Sequence, residues 1–136
     1  MNPLLATLTL ALLAACGGRP SAGEPRIVLP VQPPAEEPRA VMEALLTGTL
    51  VEEDGCLRVA PEEGGEAYLP VWPHGWSVRE EADGGVVLLD AAGDARLRVG
   101  ERVRLSGGEA PAGEAGYGEC AGPYWIVGGE AGPAGG

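Results

Sequence analysis

The stretch ECAGPYWIVGG, residues 119–129, decides the fold that we predict for this chain of 136 residues. It places Tyr124 and Trp125 side by side in a protein that has only three Trp, three Tyr and no Phe. It also holds Cys120, one of three cysteines, beside a Gly-Pro corner. We predict that this stretch is the last strand of a small β domain, fixed at its start by a disulfide and covered by its aromatic rings.

The sequence before this stretch has the pattern of short β-strands joined by turns. From residue 47 onward, short apolar runs are separated by clusters of Gly, Asp and Pro, as in strands joined by tight turns. RVRLS (102–106) alternates arginine with apolar residues, which is typical of a half-exposed strand, while RAVMEALL (39–46) fits either a short helix or the start of a strand. We therefore predict an all-β domain over residues 39–130, with six to seven strands. It is either a small antiparallel barrel like the oligonucleotide/oligosaccharide-binding (OB) fold or a two-sheet sandwich.

The amino terminus has the features of an export signal. Residues 1–15 carry no charged side chain, and the apolar run from Leu4 to Ala15 is shorter than the about 20 residues that a spanning helix needs. We predict that residues 1–15 are a signal peptide.

The sequence Leu13-Ala14-Ala15-Cys16 resembles the lipobox of bacterial lipoproteins. That resemblance implies that Cys16 receives a diacylglycerol, with acyl chains such as palmitate, and becomes the first residue of the mature protein. The alternative is a buried N-terminal helix in which Cys16 is an ordinary apolar residue.

The chain after Cys16 is acidic and begins with a proline-rich segment. All charged residues lie after Cys16, so the mature chain carries the whole net charge of −11. Such a charge argues against nucleic acid as a partner and against adsorption to anionic lipid, so the acyl chains would provide the membrane attachment. Residues 17–38 hold six prolines without strand or helix periodicity. We predict that residues 16–38 are the lipidated cysteine and a Pro/Gly-rich linker, and that residues 131–136 form a flexible tail.

The cysteine count fits a lipoprotein with one disulfide. If Cys16 is lipidated, Cys56 and Cys120 remain and can pair outside the cytosol, where disulfides persist. The alternative uses these two cysteines and His74 as metal ligands. Because the sequence offers neither a close cysteine pair nor a clear fourth ligand, we predict the disulfide and no metal.

A second resemblance extends over residues 47–129. The segments GTLVEEDGCLRV, VWPHGWSV, VGERVRLSGGE and CAGPYWIVGGE are similar to an uncharacterised β domain that recurs in secreted proteins and lipoproteins of high-GC bacteria. Its pattern combines Gly-Cys, Trp-Pro, a glycine-rich turn and a Cys-x-Gly-Pro-Tyr-Trp ending. Here Glu101 replaces the usual Asp, and Ser106 interrupts the glycine run. The resemblance implies the fold and export but no activity.

No motif in the sequence indicates catalysis or a cofactor. His74 lies in a loop without a G-x-S-x-G elbow around Ser77. The acidic clusters at 52–54, 62–63 and 80–83 fall at turns, where carboxylates are commonly solvated. We therefore expect no enzyme, no catalytic residue and no cofactor.

Two functions remain open from the sequence. The first is a lipid-anchored, extracytoplasmic protein of the cell envelope whose non-catalytic β domain serves envelope structure or protein interaction. The second is a module that binds a small ligand or a cell-wall glycan. The candidate contact residues for the second function are the aromatic residues Trp72, Trp76, Tyr124 and Trp125.

Overall fold

A computed structural model describes residues 26–36, 42–110 and 119–135, so the predicted signal peptide and Cys16 lie outside the described residues. Within those ranges the chain contains no helix, and no segment is a helix long and apolar enough to cross a bilayer. The predicted all-β class is confirmed. The described ranges hold eight strands, one or two more than expected: β1 (Ala44–Glu53), β2 (Cys56–Pro61), β3 (Leu69–Val71), β4 (Ser77–Glu80), β5 (Val86–Leu89), β6 (Ala95–Arg98), β7 (Arg102–Glu109) and β8 (Tyr124–Pro133).

Five of these strands form a nearly closed barrel. Their order is β2-β1-β7-β8-β3, with antiparallel neighbours except for β3 and β8, which run parallel. The two end strands, β2 and β3, meet through an antiparallel bridge between Val59 and Tyr68. The backbone N–H of each residue of this bridge donates to the carbonyl oxygen of the other, at 2.8 and 3.0 Å. This circuit is a small OB-like barrel rather than a two-sheet sandwich.

The remaining three strands form a separate antiparallel sheet in the order β4-β5-β6. It is inserted in the chain between β3 and β7. Leu88 from β5 and Leu97 from β6 are buried in the same apolar cluster as Leu50, Val103 and other barrel residues. The inserted sheet and the barrel therefore share one hydrophobic core.

Buried apolar and exposed arginine side chains alternate along β7, as the sequence predicts. Val103 and Leu105 are fully buried, whereas Arg102 and Arg104 between and beside them are exposed. Strand residues point alternately to the two faces of a sheet, so one face of β7 supplies the core and the other faces water.

Part of the predicted linker is packed against the domain. We call residues 26–32 the strap. Ile27 is buried in the main core, and Val28 and Val31 form parallel bridges to Cys56 and Trp72. The Gln32 side-chain amide donates to the carbonyl oxygens of Val71 at 3.0 Å and Val127 at 2.8 Å. The structure therefore joins the strap to the domain, whereas the sequence assigned it to the Pro/Gly-rich linker over residues 16–38.

The predicted flexible tail is also shorter than expected. Strand β8 continues to Pro133, where it pairs with Val103 of β7. Ala131 is 7 % exposed and belongs to the main core. The predicted flexible tail is therefore wrong for Ala131–Pro133, because these residues pair with β7 and the Ala131 side chain is buried.

The two predicted partner cysteines lie in disulfide-bonding geometry, with Cα atoms 5.8 Å apart. Cys56 begins β2, and Cys120 lies just before β8. With Leu69 they form a small second apolar cluster, against which Tyr124 packs. The Tyr124 hydroxyl donates to the Cys120 carbonyl oxygen at 2.9 Å. An aromatic ring therefore covers the cysteine pair, as residues 119–129 predict.

Candidate functional site

A surface groove of about 490 Å³ opens at one end of the barrel. It lies where β1 and β8 begin, where β2 and β7 end, and beside the β2–β3 loop. Its volume is within the range of small-ligand sites in proteins. Its apolar wall consists of six side chains: Leu45, Leu46, Pro61, Tyr68, Pro123 and Trp125.

Two aromatic rings meet in this wall. Tyr68 and Trp125 pack edge to face, with ring centroids 5.6 Å apart and an interplanar angle of 71°. Trp125 is 6 % exposed, and its Nε1 donates to the Ser106 carbonyl oxygen at 3.4 Å. Leu45 is 52 % exposed at the edge of the groove. The wall is therefore anchored in the core and still presents apolar surface to solvent.

The rim of the groove is acidic. Glu63, Glu66 and Glu109 line it, and none of its lining residues is Arg, Lys or His. Glu63 and Glu66 come from the β2–β3 loop, and Glu109 ends β7. Three carboxylates around an apolar wall give the groove a negative potential that favours a cation.

The Tyr68 hydroxyl connects the wall to the rim by donating a hydrogen bond to a Glu109 carboxylate oxygen. This bond raises the pKa of Tyr68 above its ordinary value, and the negative charges of Glu109 and Glu66 add to the effect. The same bond holds Glu109 beside the ring and orders this side of the groove.

The aromatic residues that the sequence singled out do not share one surface. Trp72 is fully buried and stacks on the half-buried Trp76, with centroids 5.3 Å apart and an interplanar angle of 19°. Trp72 Nε1 has no hydrogen-bond partner in the part of the chain that the structure describes. Tyr124 covers the cysteine pair, and Trp125 alone of the four lines the groove.

The loop around His74 holds no cluster of ligating side chains. His74 is exposed in the turn between β3 and β4. Among residues 26–36, 42–110 and 119–135, no three His, Cys, Asp or Glu side chains are grouped so that they could hold a metal ion. Asp90 instead closes the turn to β6, where its carboxylate accepts from the N–H groups of Ala92 and Asp94 at 2.9 and 3.0 Å. This segment is therefore the turn of the β5–β6 hairpin.

Sequence reasoning missed Tyr68 and Glu109 as site residues. They are 41 positions apart, and only the barrel brings them together. The acidic positions 62–63 were interpreted as a solvated turn; both residues are exposed, and Glu62 also pairs with Arg102. One available signal was that Tyr68, one of three tyrosines, comes two residues after Glu66.

No protein-family model matches this chain, and neither a curated protein nor a solved structure matches it. The interpretation of the groove therefore depends on its own geometry and charge.

Proposed function

We propose that this protein is an extracytoplasmic lipoprotein of the cell envelope, anchored by a diacylglycerol on Cys16. Its OB-like domain is a non-catalytic module that binds another envelope protein. The observation that supports the proposal is the placement of the groove relative to the start of the strap, because Arg26–Val28 lie beside the β1–β2 turn, at the other end of this hairpin from the groove.

The strap meets the barrel at the β1–β2 turn. The Val28 backbone N–H donates to the Gly55 carbonyl oxygen at 2.9 Å. The groove instead takes Leu45 from the start of β1 and Pro61 from the end of β2. A lipid anchor that precedes the strap would therefore attach at the far end of this hairpin from the groove.

The tether between lipid and domain is short. Nine residues, 17–25, separate Cys16 from Arg26. An extended chain covers at most about 3.6 Å per residue, so the strap would stay within roughly 35 Å of the lipid. Under this arrangement the groove is presented away from the bilayer, toward neighbouring envelope proteins, and the charge of −11 keeps the domain off the anionic membrane surface.

A glycan-binding module receives less support from the same geometry. Sugar stacking needs exposed aromatic faces, but Trp72 is fully buried and Trp125 is 6 % exposed. Tyr124 packs against the cysteine cluster. The four candidate rings therefore provide no common stacking face.

Two measurements in intact bacterial cells test this proposal. Labelled palmitate should enter the wild-type protein and not the Cys16→Ser variant, which should leave the membrane fraction or accumulate as precursor. A photoreactive amino acid at Leu45 should crosslink to a protein, whereas one at Asp83, in the β4–β5 turn, should crosslink much less. Fatty-acid labelling that survives Cys16→Ser, or equal crosslinking from the two positions, would contradict the proposal.

A further inference from the structure

The acidic groove has the chemistry of a site for a positively charged side chain. We propose that it binds an Arg- or Lys-containing segment of a partner protein, with the cation between the rim carboxylates and the aliphatic stem along the apolar wall. This inference rests on the proposed function, because it names the chemistry of the partner at the same site.

Charge complementarity is the first argument. Glu63, Glu66 and Glu109 line the rim without a basic residue among the lining side chains. No ion pair of Glu63, Glu66 or Glu109 occurs within the described ranges. By contrast, Glu62 next to them pairs with Arg102, and Glu81 on the inserted sheet pairs with Arg98. Within the described residues, no cation of this chain therefore neutralises the three rim carboxylates.

The apolar wall argues for an organic cation. Within the described residues, these carboxylates do not form a group that could hold a metal ion. Arg and Lys combine a charged head with an apolar stem, which suits a groove lined by both carboxylates and the apolar side chains of Leu45 and Pro61. The Tyr68 ring adds a face that attracts a guanidinium, and arginine makes this contact more often than lysine.

The size and openness of the site argue for a segment of chain. The groove of about 490 Å³ is a surface cleft between a loop and strand ends. The exposed Leu45 extends its apolar surface outward. One basic side chain together with its flanking backbone fits such a cleft, and an exposed Leu45 gives the flanking residues an apolar contact.

Peptide titration of the full-length protein, purified in detergent, tests the inference. The probe is an octapeptide of alternating Arg and Gly, and its matched control replaces each Arg with citrulline, which has the same shape without the charge. Backbone amide NMR shifts report the location of binding, and fluorescence anisotropy reports affinity. We expect the Arg peptide to shift the amides of Tyr68 and Glu109, and to bind at least ten-fold more tightly than the citrulline peptide.

Matched variants distinguish binding of the peptide at the groove from its general attraction to the negative charge of the protein. Glu63→Gln, Glu66→Gln and Glu109→Gln together should weaken binding of the Arg peptide at least ten-fold. A control with the same charge change at exposed positions elsewhere, Glu80→Gln, Glu130→Gln and Asp94→Asn, should change affinity less than two-fold. Thermal unfolding verifies that both variants remain folded.

Equal weakening in the two triple variants would overturn the inference, as would equal affinity for both peptides or no binding of the Arg peptide at millimolar concentration. Preferential binding of chitotetraose at the groove would overturn it in favour of a glycan. None of these failures would alter palmitate labelling at Cys16 or crosslinking from Leu45. Failure of the inference is thus distinguishable from failure of the proposed function.

Discussion

At the groove, one hydrogen bond changes the pKa of Tyr68, and this change can be measured. The hydroxyl donates to Glu109, which raises the pKa of Tyr68 above 10, its ordinary value. Because the bond favours the protonated phenol, its contribution to stability is present below pH 10 and is lost as the pH rises through the raised pKa. We expect the phenolate absorbance assigned to Tyr68, by difference from Tyr68→Phe, to appear at higher pH than that of a free tyrosine.

A variant pair isolates the cause of this shift. Glu109→Gln should lower the pKa of Tyr68 toward 10, because it removes the carboxylate, whereas Glu130→Gln should leave it unchanged. If Tyr68 titrates at the same pH in the wild-type and Glu109→Gln proteins, the hydroxyl of Tyr68 does not bond to Glu109 in solution.

Gly107 occupies a position in β7 that only glycine can adopt. Its φ is +143°, and it lies where the register between β7 and β8 shifts. A Cβ at this position would overlap the carbonyl oxygen of Ile126. We expect Gly107→Ala to destabilise the protein by about 3 kcal/mol or more through strain and steric overlap. Gly84→Ala, at φ +86° but with no atom within 4 Å of the added methyl group, should cost about 1 kcal/mol. Urea denaturation measures both, and equal losses would contradict this account of β7.

Among the elements, the cysteine pair joins the start of β2 to the segment before β8 across 64 residues of sequence. On the chain-entropy model, closing such a loop contributes roughly 4 kcal/mol. Replacing both cysteines with alanine should lower the free energy of unfolding by a few kcal/mol, with urea denaturation as the measurement. A non-reducing peptide map of the wild-type protein should recover the peptides around 56 and 120 joined together. Two free thiols would contradict the pairing.

The end of β8 gives a second test at this scale. Deleting residues 130–136 removes the pairing of Ala131–Pro133 with β7 and the buried Ala131 side chain. With about 1 kcal/mol for each lost hydrogen bond, we expect a destabilisation of roughly 2 to 3 kcal/mol. Deleting only residues 135–136 removes no strand residue and should leave the unfolding midpoint unchanged. An unchanged midpoint after the longer deletion would mean that this end of β8 is not part of the fold in solution.

The elements that could be predicted from the sequence are those marked by local patterns, such as turn residues and cysteines. Turn residues located most of the strands, and the odd cysteine count indicated the pair that the structure brings together. The strap was missed because its apolar run is short and lies among prolines, although Ile27 and Leu29, two residues apart, pack against the same core. Its two bridges, to Cys56 and Trp72, depend on contacts with distant parts of the chain that no local pattern specifies. The groove was missed because it requires the closure of the barrel, which no local pattern specifies.

At the scale of the whole molecule, the proposed lipid anchor and the groove would lie at different ends of the β1–β2 hairpin. The start of the strap lies at the β1–β2 turn, where the Val28 N–H donates to the Gly55 carbonyl oxygen, and the groove opens at the other end of this hairpin. This arrangement suits a domain held close to a membrane that must present a binding surface outward. All of it depends on Cys16 as the point of attachment.

The most direct test is the intact mass of the protein purified from bacterial membranes, together with its N-terminal peptide. We predict a chain that begins at Cys16 and carries a diacylglycerol on the Cys16 thiol. A chain that begins at another residue, or one with an unmodified Cys16, would contradict the proposed anchoring and with it the orientation of the groove.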